Sequence, residues 1–189
     1  MGDLSDDNTL PTDLGFFPSG AGGASQTSSV LGQTDSGSAD IFTFRIATGN
    51  VLNEIVLANY AEGDAAMFVA IASGDEFPNS YEEINDPFFA DTDAWLGGTT
   101  AGDLDFGMDI LERMSLGSVA GTGFDVPLEA GQYTFYIQQT GPLNLDTLDF
   151  NVSATAVPEP SSLLALSLAT LGFVGYGRAK RRRAEKLIS

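Results

Sequence analysis

Carboxylates are the one catalytic or binding chemistry that this chain holds in quantity. Asp91, Asp93, Asp103, Asp105 and Asp109 crowd a Gly- and Thr-rich stretch, and hard oxygen ligands of this kind suit Ca²⁺. Neither a twelve-residue EF-hand loop nor an RTX nonapeptide is present, so a solvated loop is the favoured reading and calcium the rival one. A pair of acids for glycoside hydrolysis is the enzymatic option left open. With 26 Asp and Glu in the chain, no two can be singled out by spacing. There is no His and no Cys, which removes Ser-His and Cys-His nucleophile systems, Cys/His zinc sites and disulfides. The Gly-rich runs GGTTAGD and GTGFD lack the Lys of a phosphate-binding loop and read as turns. Asn151-Val-Ser153 forms a glycosylation triplet inside an expected strand, where modification is not expected. The expectation is a non-enzymatic protein with no catalytic residue and no required cofactor.

Charge is segregated along the chain. Formal net charge is −18, yet all but two of the acids precede residue 158 and only Arg45 and Arg113 are basic in that stretch. So acidic a body repels phosphate backbones, which excludes nucleic acid as its partner. Six of the eight Lys and Arg residues follow, most of them in the cluster Arg178, Lys180, Arg181, Arg182 and Arg183.

Between body and cluster the chain reads VPEPSSLLALSLATLGFVGYG. Pro158 and Pro160 each fix φ and remove a donor, leaving an extended segment that a protease can reach. Ser161 or Ser162 can cap a helix, and residues 161–177 carry no charge. As a helix they span about 25 Å, at the short end for a bilayer core of about 30 Å. By the positive-inside rule the basic cluster stays in the cytoplasm and residues 1–157 lie outside. Taken apart, the apolar stretch could be a core helix and the basic run a nucleic-acid patch. Their order, with the Pro-Glu-Pro segment first, decides against both.

Val157, Pro158, Glu159 and Pro160, then the uncharged stretch 161–177, then Arg178 to Arg183 resemble the PEP-CTERM sorting signal of exported bacterial proteins. The resemblance implies recognition by an exosortase, a membrane-embedded cysteine transpeptidase-like enzyme that cleaves near the Pro-Glu-Pro motif, with this chain as substrate. It also implies association with bacteria that make exopolysaccharide and biofilm matrix. A second similarity lies in the body. Asp40, Phe42 and Phe44, then Gly49, then Ala130, Gly131 and Tyr133 look like the bacterial pre-peptidase C-terminal type of β-sandwich, a non-catalytic accessory of secreted proteins.

The elements that must carry these features are strands. In IFTFRIA, Phe42, Phe44 and Ile46 share a face, and after a Gly49-Asn50 turn VLNEIVLANY completes what reads as a hairpin. AMFVAIA is apolar on both faces, as an inner strand of a two-layer protein is. QYTFYIQQ aligns Tyr133, Phe135 and Ile137, and LDFNVSA aligns Leu148, Phe150 and Val152. Residues 75–125 read as long loops with one or two short strands, and no amphipathic helix stands out. The fold expected is all-β, an antiparallel sandwich of jelly-roll type, followed by a single transmembrane helix. Its core should hold Phe42, Phe44, Ile46, Ile55, Leu57, Phe68, Val69, Tyr133, Phe135, Ile137, Phe150 and Val152. The boundaries are a Gly/Ser/Asp-rich leader or loop with a possible first strand at 1–39, the sandwich at 40–156, the motif at 157–160, the helix at 161–177 and a basic cytoplasmic tail at 178–189.

The functional expectation is an exported protein, anchored in the inner membrane before processing and then delivered to the cell surface or matrix, with polysaccharide as a candidate partner. The first ten residues, MGDLSDDNTL, have no cationic or apolar leader, so export calls for an upstream extension. The rival is a carbohydrate-binding module or a carboxylate-dependent glycan hydrolase, which exposure of Trp95, Tyr81 and Phe88 for stacking on sugars would favour and their burial in the core would not.

Overall fold

The computed structural model describes residues 4–17, 26–34, 37–59, 66–86, 91–102, 105–117, 119–139 and 146–156. For residues 146–156 it describes the backbone alone. The chain divides at residue 156 into two units, and all of the described residues belong to the first.

Eight strands and two short helices make up that unit: β1 (Thr12–Phe17), β2 (Gln26–Thr34), β3 (Ala39–Ile46), β4 (Asn50–Asn59), β5 (Met67–Ser73), α1 (Tyr81–Ile84), β6 (Trp95–Ala101), α2 (Ile110–Ser115), β7 (Gly131–Gln139) and β8 (Asp146–Ala156). They form a five-stranded sheet in the order β1-β3-β7-β5-β6 and a three-stranded sheet in the order β2-β8-β4. Without β1, the wrapping is that of a jelly roll in which α2, beside β4, takes the place of one strand. All pairs are antiparallel except β1 with β3, which run parallel and depart from the expected all-antiparallel arrangement.

The core between the sheets follows from strand alternation. Phe42, Phe44 and Ile46 on β3, Ile55 and Leu57 on β4, Val69 on β5, and Tyr133, Phe135 and Ile137 on β7 are buried together, as their period-2 spacing demands. Register brings Phe42 opposite Phe135 and Phe44 opposite Tyr133, with ring centroids 5.4 and 5.8 Å apart. Phe17 on β1 stacks on Phe44 at 5.3 Å, which extends the ladder of rings to the sheet edge. Phe68 is the exception among the expected core residues. Adjacent strand residues point to opposite faces, so Phe68 cannot share the face of Val69 and packs instead on the outer side with Trp95 and Tyr136. Phe150 and Val152 lie outside the residues whose side chains are described.

That outer side holds a second, smaller core of Ala39, Ile41, Ala70, Ala72, Phe77, Trp95, Ala120 and Tyr136. Covering both faces of the larger sheet explains why β3 and β5 are buried along nearly their whole length.

Four expectations are corrected. β3 and β4 do not form a hairpin: the turn after Ile46 sends the chain to the other sheet, where β4 pairs with β8. The folded unit begins well before residue 40. Leu4, Phe17 and Val30 are buried in the main core, β1 and β2 join separate sheets, and the Ile41 amide donates to the Ser5 carbonyl at 2.7 Å. GGTTAGD is no turn, because Gly97 to Ala101 run along β6. The middle also contains an amphipathic helix, α2, which buries Ile110, Leu111 and Met114. A β-carbon at Gly97 would collide with the Met114 carbonyl oxygen, so β6 needs glycine there for α2 to lie close.

Among the described residues no helix is long and apolar enough to cross a membrane. The expected helix at 161–177 lies outside them.

Candidate functional site

Among the described residues the sequence-derived carboxylates do not gather as metal ligands. Asp105 accepts from the Gly102 amide at 2.9 Å and pairs with the Arg113 guanidinium, which also donates to the Thr99 hydroxyl and the Thr100 carbonyl. Asp109 caps α2, with one carboxylate oxygen accepting from the Leu111 amide at 2.9 Å and from the Ile55 amide of β4 at 3.1 Å. Both carboxylates therefore have structural work. Asp91 and Asp93 are exposed, Asp103 lies outside the described residues, and no group of three or more metal-ligating side chains occurs among the described residues.

Of the rings offered as a sugar platform, Trp95 is taken up by the fold. Trp95 is only 2% exposed, wedged against Phe77 at 5.2 Å, and its Nε1 donates to Asn79 Oδ1 at 2.8 Å. Tyr81 is half-buried against the same outer core, and Phe88 lies outside the described residues. A buried indole cannot stack on a pyranose, so Trp95 gives the binding-module reading no support.

Among the described residues, two shallow grooves open on the surface. One, of about 250 Å³, is lined by Phe16, Arg45, Ile46, Thr48, Gly131 and Gln132 among others. Phe16 is 55% exposed, with Arg45 5.8 Å above its ring and Asp13 3.0 Å from the guanidinium. The Gly15 amide, and then Arg45, hold the Asp13 carboxyl below the usual carboxylate range. The other, of about 320 Å³, runs past Leu96, Phe124, Pro127, Leu128 and Tyr133. Burial, helped by the Glu129 charge, pushes the Tyr133 phenol up, and its hydroxyl donates to the Glu129 carbonyl at 2.9 Å. Neither groove gathers the loop carboxylates Asp91, Asp93, Asp105 and Asp109 or the rings Trp95 and Tyr81.

In sequence, Val157 and Pro158 follow directly on the end of β8. This strand is central in its sheet, paired with β2 from Gln26 opposite Ala154 and with β4 up to Asn50 opposite Ala156. The residue before Asn50 cannot prolong the ladder. Gly49 has φ +83°, and the Asn50 amide is spent on the Ala47 carbonyl at 3.0 Å. The Gly49-Asn50 pair was legible as a turn, but its role in ending this ladder was not. Val157, Pro158, Glu159, Pro160, Arg178, Lys180, Arg181, Arg182 and Arg183 lie outside the described residues. Asp40, Phe42 and Phe44 of the pre-peptidase similarity fall on β3, and Gly131 and Tyr133 fall on its neighbour β7.

No curated protein and no solved structure matches the chain at a significant level. The family model described as the PEP-CTERM protein-sorting motif matches residues 156–183, so the chain carries a PEP-CTERM sorting signal that starts at the last residue of β8.

Proposed function

We propose that this chain is an exported, non-enzymatic β-sandwich protein that an exosortase recognises through residues 156–183, cleaves near Pro158-Glu159-Pro160 and passes to the cell surface or matrix. The observation that carries the reading is the sorting motif itself, in its order of Pro-Glu-Pro, uncharged stretch and basic cluster. That order suits the task. An uncharged stretch of about 25 Å holds the precursor in the membrane before cleavage, and the arginines stop translocation. The body is suited to the passenger role. It has no His or Cys, and the two loop carboxylates Asp105 and Asp109 are engaged in holding the fold.

The test is the fate of the chain in its host with and without the processing enzyme. With the enzyme, mass spectrometry should find a mature protein lacking residues 161–189 outside the cytoplasm. Without it, the full-length chain should stay in the membrane fraction. The same released product in both strains would reject the reading.

A further inference from the structure

The second core covers the outer face of the larger sheet over most of its length and leaves one corner open. Ile41 and Thr43 on β3 are buried on that face, as are Thr134 and Tyr136 on β7, whereas Arg45 and Gln132, which continue the same two series, are only half-buried. Register sets Phe16 of β1 opposite Arg45, and Arg45 opposite Gln132. A ring, a guanidinium and an amide therefore form one row across three neighbouring strands, about 10 Å from end to end at the usual strand spacing. This row lines the groove of about 250 Å³.

These groups are held in place without being used up. Residues three apart on a regular strand point to opposite faces, but the irregularity in β1 between Asp13 and Phe16, with Gly15 at φ +76°, brings both of them to Arg45. Asp13 Oδ1 accepts from the Gly15 amide at 2.8 Å, and Oδ2 accepts from Arg45 Nη2 at 3.0 Å. The guanidinium lies 5.8 Å from the Phe16 ring centre, and the ring is still 55% exposed. Among the described residues nothing else accepts from the side chain of Arg45, and neither the Gln132 amide group nor the Thr48 hydroxyl makes a hydrogen bond. Arg113, the other cation of the body, differs: it is spent on Asp105, Thr99 and Thr100.

We infer that this groove binds a short stretch of an uncharged glycan, with the C–H face of one sugar ring on Phe16 and hydroxyls on Arg45 and Gln132. A sugar ring has an apolar face and a rim of hydroxyls, which calls for an exposed aromatic ring flanked by planar hydrogen-bonding groups already fixed in position. Charge selects among glycans. Asp13 offsets Arg45 within the groove, and before residue 158 the chain carries 24 acids against two bases, so a uronate or phosphate gains no attraction here and meets repulsion. The inference goes beyond the sorting reading, because it concerns what the body holds and not how the chain is delivered.

The test is electrophoresis of the purified full chain, in a zwitterionic detergent free of sugar, through native gels that contain dextran, galactomannan, mixed-linkage β-glucan or alginate. At least one of the three neutral glycans should retard the wild type, and the anionic alginate should not. Phe16→Ala should raise the glycan concentration needed for half-retardation about tenfold, and Gln132→Ala about fivefold, both with the wild-type melting temperature. Phe106→Ala, which removes a ring 60% exposed outside the groove, should run as the wild type does. The inference is overturned if no neutral glycan retards the chain, if alginate retards it as strongly, or if Phe106→Ala loses as much as Phe16→Ala. Wild-type retardation of Phe16→Ala overturns it too, and should that variant melt early, Gln132→Ala decides in its place. Because binding is read on the purified chain, its failure leaves the sorting reading standing, and a failure of processing in the host leaves this result standing.

Discussion

Asp109 and Ile55 are 54 positions apart in sequence, yet the carboxylate of one holds the backbone amide of the other at 3.1 Å. The same oxygen caps α2 through the Leu111 amide. Around this contact the free edge of β4 is closed. The Gly107 amide donates to the Leu57 carbonyl at 2.8 Å, the Leu57 amide to the Met108 carbonyl, and Leu52 exchanges two bonds of 2.9 Å with Leu128. An edge that would otherwise offer unpaired N–H and C=O groups is thereby covered by loops.

Asp109→Ala should cost more than an ordinary cap. Loss of a capping carboxylate is worth about 0.5 to 2 kcal/mol, and here the Ile55 amide is left without its acceptor as well. Urea denaturation should show a loss at or above the upper end of that range, and Asp109→Asn should recover part of it. A change below about 0.5 kcal/mol would show that α2 does not depend on this contact.

Gly97→Val should prevent α2 from docking, because a β-carbon there meets the Met114 carbonyl and the Phe124 ring. The expected result is loss of the cooperative transition, or a destabilisation of several kcal/mol in the range of core overpacking, about 1 to 3 kcal/mol or more. An unchanged melting curve would contradict the close approach of β6 and α2.

In the main core, Phe44→Ala or Phe135→Ala should cost about 3 to 5 kcal/mol. Each ring is almost fully buried and stacked on a neighbour. Phe68→Ala should cost less, since that ring is only half-buried on the outer face. Equal costs at Phe44 and Phe68 would argue against two separate cores.

Alkaline pH should destabilise the fold through Tyr136. Burial pushes its phenol well above the ordinary value of 10.0, with smaller contributions from Tyr81 and Glu82, and its hydroxyl donates to Gln138 Oε1 at 2.7 Å. The unfolded chain releases this proton near pH 10 while the folded protein retains it. Stability is therefore unaffected below that pH and falls as pH rises beyond it, by up to about 1.4 kcal/mol per pH unit. Tyr136→Phe should show a shallower alkaline loss. Identical slopes would mean that the phenol ionises freely in the fold.

Pro158→Ala combined with Glu159→Ala should leave the circular dichroism spectrum and melting of the body unchanged, while uncleaved precursor accumulates in the membrane. Removing Arg178 to Arg183 should instead disturb orientation and retention. Release of the double variant at the wild-type rate and with the wild-type C-terminus would exclude this motif as the recognition element.

Some of this architecture is written locally and some is not. β3 and β7 were legible because alternation at period 2 is a property of each strand alone, and β5 because a short apolar run before turn residues is one too. The partner of β4 was not. A Gly-Asn turn looks the same whether the chain folds back on its neighbour or crosses to another sheet, and that choice is made by contacts with β8, about a hundred residues later. Two helices carried signals that were passed over: Ser80-x-x-Glu83 is a capping box and Asp109 precedes Ile110-Leu111. The burial of Trp95 was not legible, because Asp and Gly surround it in sequence, whereas in space it faces Phe77 and Phe68. The sorting segment was readable because its chemistry lies in linear order and needs no tertiary partner to be recognised.

The order of strands in the smaller sheet has a consequence for timing. Among the described strands, β2 and β4 do not touch along a ladder; each finds its strand partner in β8, the last of them in sequence. A chain that emerges N-terminus first, from a ribosome or through a membrane pore, holds two unpaired strands until residue 156 has cleared the exit. The sandwich therefore closes late, when the sorting segment is next in line, and a chaperone that guards the emerging chain has to stay with it until then.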